Sequence, residues 1–106
     1  MLFQAALAAA LALAAGPAFA QDAAAGRQLA TQCQTCHGID GIARIPIAPH
    51  IAGESRIYLE TQLKAFRSGE RKHEMMSVVA KDLTDQQISD LAAWYESIQI
   101  TATMPQ

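Results

Sequence analysis

Five consecutive residues carry the chemistry of this chain: Cys33-Gln34-Thr35-Cys36-His37. The two thiols stand about one helical turn apart, and an imidazole follows at once. Both sulfurs can then reach the two vinyl groups of one porphyrin. The imidazole meets the iron from the same side. C-x-x-C-H is the attachment sequence of c-type haem. Cys33 and Cys36 are the only cysteines, so the motif uses every thiol. Two other chemistries use the same residue types. One is a C-x-x-C disulfide, structural or redox. Thioredoxin-like motifs lie in a βαβ context, however, and no strand pattern precedes Cys33. The other is a zinc site in which His50 or His73 completes four ligands. It lacks the paired spacing of zinc fingers.

The elements that must position this motif are helical. No run alternates with period two for long, and strand punctuation is sparse. A first helix is expected over Ala23–Gln32, with Asp22 as N-cap. A second is expected over Arg56–Ser68. Leu59, Leu63 and Phe66 share one face of it, Arg56, Glu60 and Lys64 another, and Gly69 caps its end. A third is expected over Asp85–Ile98. Thr84 and Gln87 form a T-x-x-Q capping box there, and Leu83 and Ile88 a hydrophobic staple. Between the first two helices lies a loop, His37–Glu54, rich in Gly and Pro. Loops of that length are usually functional.

The 106 residues are 51% hydrophobic, but two unlike pieces make up that figure. In residues 1–20 only Gln4, Gly16 and Pro17 fall outside the apolar set, and no residue is charged. Ala5–Ala15 has the length of a signal-peptide core. Gly16-Pro17 breaks a helix, and Ala18 and Ala20 supply an A-x-A cleavage site. Residues 1–20 are therefore expected to be a signal peptide cut after Ala20. An uncleaved anchor is the alternative, since a span needs about 20 apolar residues. No later stretch is apolar enough to span a membrane. Residues 21–106 form the body. That is near the size of about 80 residues below which an apolar core gives only about 3–5 kcal/mol, so a further stabiliser is expected.

The net charge of −2 disfavours nucleic acid as a partner. The charge is uneven. Arg56–His73 is net +3 and Lys81–Glu96 is net −3. Either these are two solvated faces, or the basic one steers the haem edge toward an acidic partner.

Several further pieces fall in a recognisable order. Gly26 precedes Cys33, and Gly38 follows His37. Pro49-His50-Ile51-Ala52-Gly53 comes next. Tyr58-Leu59, Gln62-Leu63, Phe66, Gly69 and Arg71 follow. A Met then precedes Leu83-Thr84-Asp85 and Leu91-Ala92-Ala93-Trp94. In this order the chain resembles a class I c-type cytochrome. It is similar to the short bacterial kind that also forms each half of certain di-haem cytochromes. The resemblance covers Gly26 to Ile98. It implies a small all-α cytochrome c fold, with three main helices and loops wrapped around one covalent haem c. The first and last helices would cross at Gly26 and Trp94, flanked by Leu29 and Leu91.

The resemblance also implies a methionine as second axial ligand, eight residues before the hydroxyl N-cap of the last helix. Counting from Thr84 gives Met76, with Met75 beside it as the rival. The Pro49 carbonyl would accept from Nδ1–H of His37, with Pro46 the nearby alternative. Arg71 would meet a haem propionate or stand as a surface cation. His50 and His73 would be loop histidines. Ligation by His37 and Met76 closes both axial positions and raises the potential, which favours electron transfer over catalysis. The implied protein is a periplasmic mono-haem carrier that exchanges single electrons with a redox donor and acceptor. The alternatives are a cytochrome subunit bound to a flavoprotein or molybdoenzyme dehydrogenase, and a haem sensor or peroxidase.

Overall fold

The computed structural model describes residues 1–3, 5–13 and 20–106. Among the described residues there are five helices and no strand. The Asp22 side chain accepts from the Ala25 N–H and starts α1, Ala23–Leu29. The expected first helix does not run on to Gln32. Ala30–Gln32 tighten into a 3₁₀ turn, and the chain resumes as α2, Gln34–His37. A 3₁₀ turn spends about three residues per turn instead of 3.6. The Cys33 N–H thereby reaches the Ala30 carbonyl at 2.9 Å. Ala30 is wholly buried at this joint.

The second long helix, α3, is Arg56–Ser68. Ser55 caps its start by accepting from the Tyr58 N–H at 3.1 Å. Gly69 ends it in the left-handed conformation, as its position suggests. A short helix not expected from the sequence follows: α4, Met76–Ala80. The last helix, α5, is Asp85–Ser97, and both halves of the Thr84–Gln87 capping box form. Ile98 is its C-cap in extended backbone, so the helix stops one residue early.

Helix α5 is the spine. Ile88, Leu91, Ala92 and Tyr95 supply its buried face, and Leu59 and Phe66 of α3 join them with Ala80 and Leu83. Helix α1 crosses α5 with no room to spare. A Cβ added at Gly26 would collide with the Asp90 carbonyl and lie 3.0 Å from Trp94 Cβ. The close approach is thus to the α5 backbone first and to the aromatic second. Asp90 is buried at this crossing and accepts from the Asp22 N–H at 3.0 Å and from Gln86 at 2.8 Å. It is no surface charge.

The two charged segments pair with each other. Arg67 meets Asp85 at 2.6 Å, and Arg56 lies between Glu60 at 3.7 Å and Glu96 at 4.0 Å. Among the described residues Lys64 does not continue the expected chain of pairs on α3. Leu2, Phe3, Leu7, Leu11 and Leu13 are exposed, so the core is complete without them. Gly16, Pro17 and Ala18 of the expected cleavage region lie outside the described residues. No helix among the described residues is long and apolar enough to cross a membrane.

Candidate haem site

Helix α2 and the residue before it place Cys33, Cys36 and His37 along a cavity of about 410 Å³. Cofactor cavities run from about 300 to 1,000 Å³. Cys33 and Cys36 are partly buried and unbridged. Burial pushes the Cys33 thiol up to about 11, a hydrogen bond with Tyr95 opposes the rise, and Cys36 adds to it. Burial also raises the Tyr95 phenol, and the neighbouring Cys33 adds to that shift.

His37 is buried, and its Nδ1 lies 2.9 Å from the Pro49 carbonyl oxygen. A carbonyl can only accept, so Nδ1 carries the proton and Nε2 keeps the lone pair. Such a hydrogen bond sets ring orientation and raises ligand basicity. The partner is Pro49 and not Pro46.

The long loop after the motif is sewn to α5. The Trp94 indole N–H donates to the Ile39 carbonyl at 2.9 Å, and the Tyr95 hydroxyl to the Gly38 carbonyl at 3.1 Å. The Gly53 N–H returns to the Tyr95 carbonyl at 2.8 Å. The neck of the loop closes where the Gly41 carbonyl accepts from Ile51 at 2.8 Å and Ala52 at 3.1 Å. Gly41 has φ +76, and a Cβ there would lie 2.5 Å from the Ala52 nitrogen. Sequence reasoning gave Trp94 a packing role and missed both aromatic hydrogen bonds. They span 55 and 57 residues, and no local pattern announces them.

Met75, Met76 and Val79 also line the cavity, with Leu59, Leu63 and Phe66 of α3 and Leu83 and Leu91. Met75 is 40% exposed, whereas Met76 is partly buried and packs against the core. Arg71 lines the cavity with its guanidinium 4.6 Å above the Phe66 ring and a hydrogen bond to Gln62 at 2.7 Å. His50 and His73 line it too, but both rings are tied to backbone. Nδ1 of His50 accepts from the Ala43 N–H at 2.8 Å. Nδ1 of His73 accepts from Met75 and Met76 N–H at 3.1 and 3.3 Å.

Among the described residues no three His, Cys, Asp or Glu groups cluster to hold a metal ion. Among the described residues no strand precedes Cys33, as a thioredoxin-like motif would require. What remains is an apolar cavity with two thiols, an imidazole with one nitrogen uncommitted, and thioethers. That donor set fits a covalent porphyrin.

The family model for Cytochrome c matches residues 23–99. The chain belongs to the cytochrome c family. As a member it is an electron-transfer haem protein, not an enzyme, and its cofactor is covalently bound haem c. It is 44% identical to cytochrome c-554(548) of Halomonas halodenitrificans over 81 residues, 74% of this chain and 98% of that one. The solved structure of reduced recombinant cytochrome c4 from Pseudomonas stutzeri superposes with a TM-score of 0.70 at 34% identity. That match covers 76% of this chain and 47% of the other, so the chain spans about half the length of this cytochrome c4. A third similarity is to the thiosulfate dehydrogenase electron acceptor of Thiomonas intermedia. It is 38% over 72 residues, 66% of this chain and 33% of that protein.

Proposed function

We propose that the chain is a periplasmic mono-haem electron carrier, exported through residues 1–20 and cut after Ala20. Cys33 and Cys36 would form the thioether bonds to the haem. His37 and Met76 would hold its iron. The observation that carries this reading is the His37–Pro49 hydrogen bond at 2.9 Å beside the paired thiols, in a cavity that Met76 also lines. Bound haem supplies an iron that gains and loses one electron.

The chain's own residues set the terms of that exchange. The Pro49 carbonyl holds the His37 ring and makes Nε2 a better donor. The Met76 thioether would favour the reduced iron and so raise the potential. The apolar walls from α3 and α5 disfavour added charge and exclude water. A haem held by both His37 and Met76 would leave oxygen and peroxide no place to bind. Arg71, propped on Phe66, would meet a propionate.

The redox donor and acceptor meet this carrier transiently. Such encounters bury little area. With Arg56 and Arg67 engaged in pairs and Arg71 turned to a propionate, steering toward an acidic partner falls to Lys64 and Lys72. A second reading makes the chain the electron-accepting partner of a periplasmic dehydrogenase, and the similarity to the Thiomonas protein favours it. Co-purification with a dehydrogenase selects the second reading over the first.

An optical spectrum of the native protein, oxidised and reduced, tests haem type and ligands together. The oxidised form should show the weak sulfur–iron absorption at the red end, and Met76→Ala should abolish it. If Met75→Ala abolishes it instead, the ligand is Met75. Carbon monoxide binding to the reduced native protein would replace the carrier with a sensor or peroxidase. A mature chain that begins at Met1 would end the export-and-cleavage claim.

A further inference from the structure

The turn between α3 and α4 does more than start a short helix. His73 Nδ1 faces two backbone donors, the N–H groups of Met75 at 3.1 Å and Met76 at 3.3 Å. The His73 N–H donates to Ser77 Oγ at 3.0 Å, and its carbonyl accepts from the Ser77 N–H at 2.9 Å. The side chain of an N-cap accepts from the second or third N–H after it. His73 thus caps a first turn that leads into α4, and Ser77 returns the contact. The amides it holds are those of the two methionines that line the cavity.

Holding both amides fixes the backbone of both residues and with it the direction in which each side chain leaves the main chain. From that backbone Met76 packs against the core and Met75 stands 40% exposed. Helix α4 has five residues and cannot hold that geometry alone, since isolated helices under about 12 residues are marginal. Among the described residues, every hydrogen bond at His73, Met75 and Met76 is local to this turn.

We propose that His73, locked by Ser77, is the positioning residue for the sulfur ligand. It presents Met76 rather than Met75 and keeps it from swinging away. The inference rests on the reading of Met76 as the ligand.

The test compares the holo forms of wild type, His73→Ala, His73→Asn and Met76→Ala. Two quantities are read: the sulfur–iron absorption of the oxidised form and the rate at which added cyanide captures the iron. Losing a cap costs about 1 kcal/mol, about fivefold in an open population. His73→Ala should therefore capture cyanide about fivefold faster and show a weakened absorption. His73→Asn keeps a cap acceptor and should restore both. Far-UV circular dichroism separates these effects from misfolding. A His73→Ala protein that captures cyanide at the wild-type rate overturns the proposal. So does a His73→Asn protein as fast as the alanine variant. If Met76→Ala retains the absorption, the ligand assignment itself falls, independently of the cap.

Discussion

The two segments that bring candidate ligands to the cavity are built differently. The histidine side is tied to distant parts of the chain. Ile39 and Gly38 are held by Trp94 and Tyr95, Gly53 by the Tyr95 carbonyl, and His37 itself by Pro49. The methionine side is held by its own neighbours, through His73 and Ser77. Bonds to the core can break only when the core opens. Bonds within one turn can break while the rest stays folded. The histidine side should therefore share the global stability, and the methionine side should open on its own at lower free energy.

The harshest way to break this comparison is to remove what both sides enclose. Replacing Cys33 and Cys36 together by Ser should leave no haem on a denaturing gel and collapse the helical circular dichroism. Without the porphyrin the apolar side chains of α3 and α5 that line the cavity lose their packing partner and face water. Next in size is Gly26→Val. Its side chain meets the Asp90 backbone, which cannot retreat without losing the Asp22 contact. Overpacking of this kind costs about 1–3 kcal/mol, and a lower guanidinium midpoint should report it.

Tyr95→Phe sharpens the contrast. It strips a buried donor from the Gly38 carbonyl, at about 1–3 kcal/mol. Global stability should fall by that amount while cyanide capture stays at the wild-type rate. His73→Ala should show the reverse pattern. Equal effects of the two variants on both measurements would erase the distinction between the sides.

The smallest effect concerns pH. The Arg67 hydrogen bond and charge hold Asp85 below the usual carboxylate range. A depressed carboxylate contributes stability that is present above its unfolded pKa and lost as pH falls through the folded one. Stability should therefore decline slightly on acidification below that range. Asp85→Asn should flatten this part of the midpoint-against-pH curve. The pair is exposed, so salt should shrink the difference.

What the sequence made legible was local. The C-x-x-C-H motif, the Asp22 cap, the Thr84–Gln87 box and the Gly69 stop all lie within a few residues of their partners. Asp90 was illegible because its partner Asp22, the cap of α1, lies 68 residues away. A carboxylate on a helix reads as a solvated charge until the crossing that buries it is known. The opposite net charges of Arg56–His73 and Lys81–Glu96 were legible as totals. Their mutual pairing needed the contact of α3 with α5. The cap at His73 is local, yet it escaped notice for another reason. Imidazole is not among the favoured cap side chains, so nothing flagged the turn that starts α4.

The crossing of α1 and α5 has a temporal side. Helix α1 leads into the attachment motif near the start of the body, and its docking surface lies on the last helix. A chain that leaves a translocation channel N-terminus first would present Cys33 and Cys36 long before α5 could emerge to cover them. The fold would thus keep its thiols open to an attaching machinery for most of the chain's passage, and close over the cofactor only when the final helix arrives.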